Sequence, residues 1–244
     1  MPPRQARQRQ VPVVRTDGFH LPVFRRRAAL YVDGFNLYHA IDELKRPYLK
    51  WLDLKALARV IAPRSEVVRK VTWCTAFRPA SRGKLVRHQL YLAALETQGV
   101  VCRTGHFVVH ADGCNACGHM WQVATEKQGD VNLALSVLDD AHENRFDVCY
   151  LMTTDGDHAA TARWLKQRFP QKKLVSVAPP GRGHNRHVLT WADAQVSLTP
   201  EHLEQALLPE MLNSREGVIQ RPASYLPPDV PRVKRHLTLV SSQS

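Results

Sequence analysis

Short apolar runs that alternate with amphipathic segments are the feature that most restricts the fold of this chain. FDVCYLMTT (146–154) has the pattern of a buried strand followed by a polar turn, and AALYV (28–32) ends in the same way at Asp33. Between such runs, segments such as 81–99 and 130–143 carry apolar residues at helical spacing. Strands separated by helices are joined by crossovers, which predicts an α/β fold with a mostly parallel sheet and helices on both faces.

Composition divides the chain into three segments. Residues 1–27 are rich in Arg and Pro without a sustained period, and we interpret them as a disordered basic tail. Residues 28–208 hold the strand and helix patterns of one domain, and the weakly patterned residues 209–244 are predicted to be a flexible C-terminal tail. The absence of an apolar run of about 18 residues predicts no membrane span. The N-terminus lacks the apolar segment of a secretory signal, which favours a cytoplasmic protein.

Positive charge restricts the class of partner. The formal net charge is +12, and half of it comes from residues 4–27, with seven arginines against one aspartate. Such a charge attracts polyanions because phosphate contacts release counterions. A polyanion is therefore an expected partner, and a soluble basic protein whose tail inflates the total charge is the alternative. Five cysteines are an odd number for a disulfide framework.

Four aspartates stand where a parallel sheet binds its ligands, at the carboxyl ends of strands. Asp33 ends the first strand, Asp155 and Asp157 follow the strand at 146–154, and Asp130 opens a helix. Each one alone is better explained as a turn residue or a helix cap. Together they predict a cluster of carboxylates that repel one another and need a divalent cation. Hard oxygen ligands favour Mg²⁺ or Mn²⁺.

Three motifs carry a resemblance to a known family. YVDGFNLYHAI, EKQGDVNLALSVLDDA and LMTTDGDHAATARWLK, in this order, resemble the NYN domain, a LabA-like bacterial branch related to PIN nucleases. The resemblance covers roughly residues 27–208. It implies a PIN-like fold and a metal-dependent ribonuclease that hydrolyses RNA phosphodiester bonds.

The resemblance also implies roles for single residues. Asp33, Asp130 and Asp155 would bind one or two Mg²⁺ or Mn²⁺ ions, Asp157 would support the site or orient water, and Asn36 would accompany Asp33. The family commonly has Ser or Thr before the aspartate at 130, where this chain has Gly129, and Ser before the later pair, where it has Thr154.

A cysteine loop carries a second metal motif. Cys114 and Cys117 have the C-x-x-C-G spacing of a zinc knuckle, which is half of a tetrahedral site. The other ligands could come from four nearby residues: His119, His110, His106 and Cys102. The last three would point to one side of a strand, and the family resemblance favours the element that contains His106. A structural Zn²⁺ within 102–121 is expected, while a redox pair and two unliganded thiols are the alternatives.

Two basic groups are predicted to contact RNA phosphates. Arg78, Arg82 and Lys84 lie where the second strand passes into its helix, and Arg182 and Arg186 lie in a turn after the fifth strand. Such contacts position a nucleic acid backbone without reading its bases. A solvated basic surface is the alternative.

Two other functions are consistent with these patterns. A non-catalytic RNA-binding or regulatory protein could use the same crevice, because fold does not determine function. A metal-dependent phosphatase acting on small molecules is the third alternative, which the excess of basic residues disfavours. The oligomeric state stays open, with a homodimer among the alternatives.

Overall fold

The computed structural model describes residues 25–77 and 82–228. Arg78 and the outer parts of both predicted tails, residues 1–24 and 229–244, lie outside the described residues. Among the helices in the described ranges, none combines the length and the apolar character needed to cross a bilayer.

A seven-stranded sheet forms the centre of the domain. Its strands are β1 (Arg26–Asp33), β2 (Glu66–Ala76), β3 (Val101–Gly113), β4 (Met120–Lys127), β5 (Val148–Met152), β6 (Lys173–Ala178) and β7 (Ala194–Ser197). Their order is β4-β3-β2-β1-β5-β6-β7, and every neighbouring pair is parallel except β3 and β4. The predicted mostly parallel α/β fold is confirmed.

Helices cover both faces of this sheet. They are α1 (Gly34–Glu43), α2 (Leu54–Ile61), α3 (Arg82–Thr97), α4 (Gly129–His142), α5 (Ala159–Arg168), α6 (Arg186–Leu189) and α7 (Pro200–Glu204). Successive side chains of strand β1 point to opposite faces of the sheet, as the pleat requires. Leu30 and Val32 pack into the core under α1 and α2, and Ala29 and Tyr31 pack into the core under α4 and α5. Burial on both faces explains why this strand is a continuous apolar run.

The carboxyl ends of the central strands meet at one edge of the sheet. Val32 pairs with Met152, so the residues that follow β1 and β5 emerge side by side. Helix α1 begins directly after Asp33, whose Oδ1 accepts a hydrogen bond from the Asn36 backbone N–H at 3.0 Å. A Cβ at Gly34 would lie 2.6 Å from the Cys74 carbonyl oxygen, so this helix start needs glycine to approach β2.

The predicted C-terminal tail is wrong for residues 209–228. Two further strands, β8 (Met211–Ser214) and β9 (Gly217–Gln220), form a hairpin. Leu212 and Ile219 on this hairpin pack against Trp51 in a third core cluster, and Trp51 Nε1 donates a hydrogen bond to the Pro209 carbonyl oxygen at 2.9 Å. Each short strand supplies one buried residue, which is too few to produce a sequence pattern. The N-terminal boundary also shifts, because Arg26 already belongs to β1.

The cysteine-bearing insertion is a β-hairpin that extends beyond the sheet. Strand β3 pairs with β2 only through Val101–Gly105 and with β4 only from His106 to Gly113. Residues 106–127, here called the arm, therefore form a two-stranded ribbon. At its base a Cβ at Gly105 would lie 2.3 Å from the Lys127 carbonyl oxygen, so glycine permits the two strands of the arm to approach closely there. The Phe107 ring packs edge-on against the Phe35 ring, with centroids 5.8 Å apart.

Candidate metal centre

Three side chains converge at the carboxyl edge of the sheet. Asp33, Asp130 and His158 each place one ligand-type atom within 4.8 Å of the others. Asp33 ends β1, Asp130 lies in the first turn of α4, and His158 ends a 3-10 turn after β5. Among residues 25–77 and 82–228 this is the one group of three or more His, Cys, Asp or Glu side chains with such spacing.

Asp33 is held in a fixed orientation. Its Oδ2 accepts a hydrogen bond from the Thr153 hydroxyl at 3.0 Å, while its Oδ1 accepts one from the Asn36 backbone N–H at the start of α1. Burial raises the pKa of this carboxyl above its usual value, although the two hydrogen bonds act in the opposite direction. A buried carboxylate that faces other acids is stabilised by a cation.

His158 presents a buried nitrogen toward the acids. The residue is 1% exposed, and its Nε2 lies 3.4 Å from Asp130 Oδ1. This contact lacks the alignment of a hydrogen bond, so within the described residues Nε2 is a buried polar atom without a hydrogen-bond partner. Such atoms are rare in folded proteins, and a bound ion is one of the explanations for them. The neighbouring imidazole lowers the pKa of Asp130.

Glu126 is a further acid beside this group, and the sequence analysis missed it. Burial, together with the negative charges of Asp130 and Asp33, raises the pKa of Glu126 to about 7. A Cβ at Gly129 would lie 2.1 Å from Glu126 Oε1, so the carboxylate covers the start of α4. Glu126 lies in the same motif as Asp130, EKQGDVNLAL, but nothing in the sequence marks it as part of the site.

Asp155 and Asp157 lie at the predicted sheet edge but outside the group of three. Asp155 caps the 3-10 turn, because its Oδ1 accepts a hydrogen bond from the Asp157 backbone N–H at 2.9 Å. The Asp155 backbone N–H donates to the Thr153 hydroxyl at 3.0 Å. Asp157 is exposed. The turn-forming alternative thus describes what Asp155 does in the structure, while His158 of the same turn reaches the two aspartates.

The predicted polar companion, Asn36, bonds to the segment after β5. Its side-chain amide contacts the Thr154 hydroxyl through Nδ2 at 3.0 Å and Oδ1 at 3.1 Å. Thr154, where the family pattern commonly has serine, supplies the hydroxyl of this contact. This contact ties the start of α1 to the turn that carries His158.

The basic residues predicted to bind RNA differ in their surroundings. Arg182 donates to Glu43 Oε1 at 2.5 Å, which anchors it beside the end of α1. Arg186 Nε lies 3.3 Å from His187 Nε2. Arg82 is exposed at the start of α3, and Lys84 lines a cavity.

That cavity, of about 530 Å³, lies between α1 and α3. Gly34 and Phe35, which follow Asp33 directly, form part of its wall, so it adjoins the acidic group. Aromatic rings and cationic side chains line most of the rest, including Tyr38, Lys50, Trp73, Lys84, Arg87 and Tyr91. Burial lowers the pKa of His88, another wall residue, to about 4.

The cysteine pair lies at the tip of the arm. Hydrogen bonds from the backbones of Cys117 and Ala116 lower the pKa of the Cys114 thiol. His106, a predicted zinc ligand, lies at the base of the arm, where it pairs with Lys127. Gly113 lies seven positions further along the extended strand, which is roughly 23 Å at ~3.3 Å per residue. His106 therefore cannot share an ion with these cysteines in one chain, and that part of the prediction is wrong.

His119, the other predicted histidine ligand, stacks on Trp121 with ring centroids 6.0 Å apart. In the part of the chain that the structure describes, no group of three ligand residues includes Cys114 or Cys117. The four-ligand zinc site expected from the sequence is therefore not brought together by the described residues of one chain.

Comparisons with known proteins agree with this architecture. The family model described as "NYN domain" matches residues 27–189. A curated relative, 6-hydroxy-3-succinoylpyridine 3-monooxygenase HspA of Pseudomonas putida (strain DSM 28022 / S16), is 23% identical over 218 residues, which cover 86% of this chain and 69% of that protein. A crystal structure of a protein of unknown function from Vibrio parahaemolyticus RIMD 2210633 has the same fold. It is 20% identical with a TM-score of 0.51, over 76% of this chain and 98% of that one.

Proposed function

The chain belongs to the NYN domain family, within the PIN-like superfamily, and on that premise we propose that it is a metal-dependent ribonuclease. The site of RNA phosphodiester hydrolysis is the group of Asp33, Asp130 and His158. One observation carries the proposal: three ligand atoms from separate elements lie within 4.8 Å of one another, and one of them is a buried nitrogen without a hydrogen-bond partner in the described residues.

The donor set fits a divalent cation. Asp33 and Asp130 would supply carboxylate oxygens and His158 would supply Nε2. Oxygen ligands suit both Mg²⁺ and Mn²⁺, while an imidazole ligand favours Mn²⁺ over Mg²⁺. A bound ion at such a place lowers the pKa of water and neutralises charge that develops on a phosphoryl group.

The other polar residues have supporting roles in this proposal. Thr153 and the Asn36 backbone orient Asp33 through the hydrogen bonds at 3.0 Å. Glu126 faces the same acids from the base of the arm, and we assign to it the orientation of the attacking water. Asp155 shapes the turn that carries His158, and Asp157 stays at the exposed rim.

RNA is the proposed substrate because the family is nuclease-like and the chain carries a net charge of +12. Arg82, Lys84, Arg182 and Arg186 are the proposed phosphate contacts. Such contacts set the affinity and its salt dependence rather than base preference.

The test compares Asp33→Asn and Asp130→Asn with the wild type on RNA, with Mn²⁺ or Mg²⁺ present. Cleavage should fall by at least about 100-fold, since each change removes a metal ligand. The matched control is Asp139→Asn, which changes an exposed acid on the same helix as Asp130 and should cleave at the wild-type rate. Wild-type cleavage by both site variants would refute the assignment. RNA binding without cleavage in either metal would support the non-catalytic alternative.

The cavity beside α1 favours a second candidate function. Its aromatic and cationic walls and its volume of about 530 Å³ suit a small aromatic acid, and the Pseudomonas putida relative is named a monooxygenase for 6-hydroxy-3-succinoylpyridine. Calorimetric titration of the wild type with that compound tests this candidate. Saturable binding that Arg87→Ala weakens would favour it, and the absence of binding would remove it.

A further inference from the structure

We propose that Cys114 and Cys117 form half of a tetrahedral zinc site, whose other half is the same cysteine pair of a second copy of this chain. The tips of two arms would then join two chains through one ion. This inference is independent of the proposed ribonuclease activity.

The tip of the arm has the geometry of a metal-binding turn. The Cys114 backbone N–H donates to the His119 carbonyl oxygen and the Gly118 N–H donates to the Cys114 carbonyl oxygen, each at 2.8 Å. Gly118 adopts a left-handed conformation with φ of 69°, which glycine allows without strain. The turn thus brings two sulfur ligands together, with backbone amides directed at one of them.

One chain does not complete the coordination. A structural zinc site takes four ligands, and within residues 25–77 and 82–228 no third His, Cys, Asp or Glu side chain joins this pair. His106 lies at the far end of the arm, and His119 is stacked on Trp121. A two-fold axis through the ion would supply the missing ligands as an identical pair.

The arm itself needs a partner. A two-stranded ribbon alone is at best marginally stable in water, and most residues of this arm are exposed. Four large apolar side chains on it are 41% to 62% exposed: Val108, Val109, Met120 and Trp121. Packing against a second arm would cover such side chains, and the metal would fix the register.

Charge also favours contact between arm tips. Residues 106–125 contain one charged side chain, Asp112, although the chain as a whole carries a net charge of +12. Two copies of a chain with this net charge repel each other, because like charges face like charges. The nearly neutral arm is a segment through which two copies can approach without that repulsion.

The test measures zinc content and mass together on the full-length wild type, purified with a reducing agent and without added zinc. We expect half a zinc ion per chain and a dimer by light scattering, with conversion to a monomer when a strong chelator removes the zinc. Three results would overturn the proposal. They are a monomer with one zinc per chain, a dimer that persists without zinc, and a monomer that takes up no added zinc.

Variants and a spectroscopic probe locate the ligands. Cys114→Ser and Cys117→Ser should each lose both the zinc and the dimer, while Cys102→Ser, the same change at the start of strand β3 and far from the turn, should keep both. Cobalt substituted into the wild type should show the visible spectrum of a four-sulfur tetrahedral site. A spectrum typical of nitrogen ligands would instead mean that histidines complete the site, which would refute the arrangement of two cysteine pairs. This test uses the wild type, so it does not depend on whether the serine variants fold.

Discussion

The carboxylate of Glu126 occupies the space in which a side chain at Gly129 would lie, since a Cβ there would be 2.1 Å from Glu126 Oε1. Where the family pattern commonly has Ser or Thr, this chain has no side chain, and an acid from the base of the arm fills the place. The departure from the family pattern at Gly129 and the position of Glu126 are therefore linked, because the glycine leaves room for the carboxylate. Glu126 can face Asp130 because residue 129 is glycine.

We predict that Gly129→Ala changes the metal dependence of cleavage but leaves the stability of the fold nearly unchanged. The new methyl group displaces the end of a flexible side chain, so the free energy of unfolding should change by less than about 1 kcal/mol. Glu126 would move away from the acids, and the Mn²⁺ concentration for half-maximal cleavage should rise by about 10-fold. Urea unfolding and metal titration of cleavage measure the two effects.

Gly105→Ala is the matched control for that prediction. Its Cβ would lie 2.3 Å from the backbone oxygen of Lys127, which cannot rotate away. Unfolding free energy should fall by about 1–3 kcal/mol. Equal destabilisation by the two alanines would contradict the role given to Glu126.

His158→Gln is predicted to weaken metal binding. The change removes a buried nitrogen that faces Asp130 at 3.4 Å, and we expect the Kd for Mn²⁺ to rise by about 10- to 100-fold in calorimetry. The comparison is His142→Gln at the exposed end of α4, which should bind Mn²⁺ like the wild type. If His158→Gln binds Mn²⁺ with unchanged affinity, the imidazole is not a ligand.

Acid should destabilise the domain through His88. Burial lowers its pKa from 6.5 to about 4, so between these values the unfolded chain binds a proton that the folded chain does not. Stability is full above pH 6.5 and falls as the pH drops toward 4, by up to about 3 kcal/mol. His88→Gln should lose much of this dependence in urea unfolding measured across that range, whereas His187→Gln, an exposed change, should keep it.

The C-terminal hairpin should contribute to global stability. Ile219 is 7% exposed and packs with Trp51, whereas Val218 beside it is 64% exposed. Ile219→Ala should lower the unfolding free energy by about 2 kcal/mol, and Val218→Ala by less than about 0.5 kcal/mol. Denaturation followed by tryptophan fluorescence distinguishes them. Equal effects would mean that the hairpin is not part of the folded core.

Much of this fold was predictable because its strands are buried on both faces. Leu30, Tyr31 and Val32 form a continuous apolar run that only a central strand of a layered sheet requires. The same rule placed Asp33 and Asp130 at one edge. Asp33 ends a buried strand, whereas Asp130 opens a helix and was expected at the site because its motif resembles that of the NYN domain.

The remaining site residues depend on local geometry that no pattern encodes. Asp155 and His158 lie in one turn, and the turn's curvature decides that the imidazole faces inward while the carboxylate caps the backbone. Strand β4 has exposed residues on both faces, so it shows no period. Glu126 at its end could not be assigned to the site until the strand itself was known.

The three members of the metal centre come from residues 33, 130 and 158, and this spacing affects how the protein is made. During synthesis, the site does not exist until the chain has extended past β5 and that strand has paired with β1. Contacts between residues so far apart form late, because closing long loops is entropically unfavourable. In the proposed ribonuclease, an incomplete chain would therefore lack the complete metal site and would not cleave RNA before folding is finished.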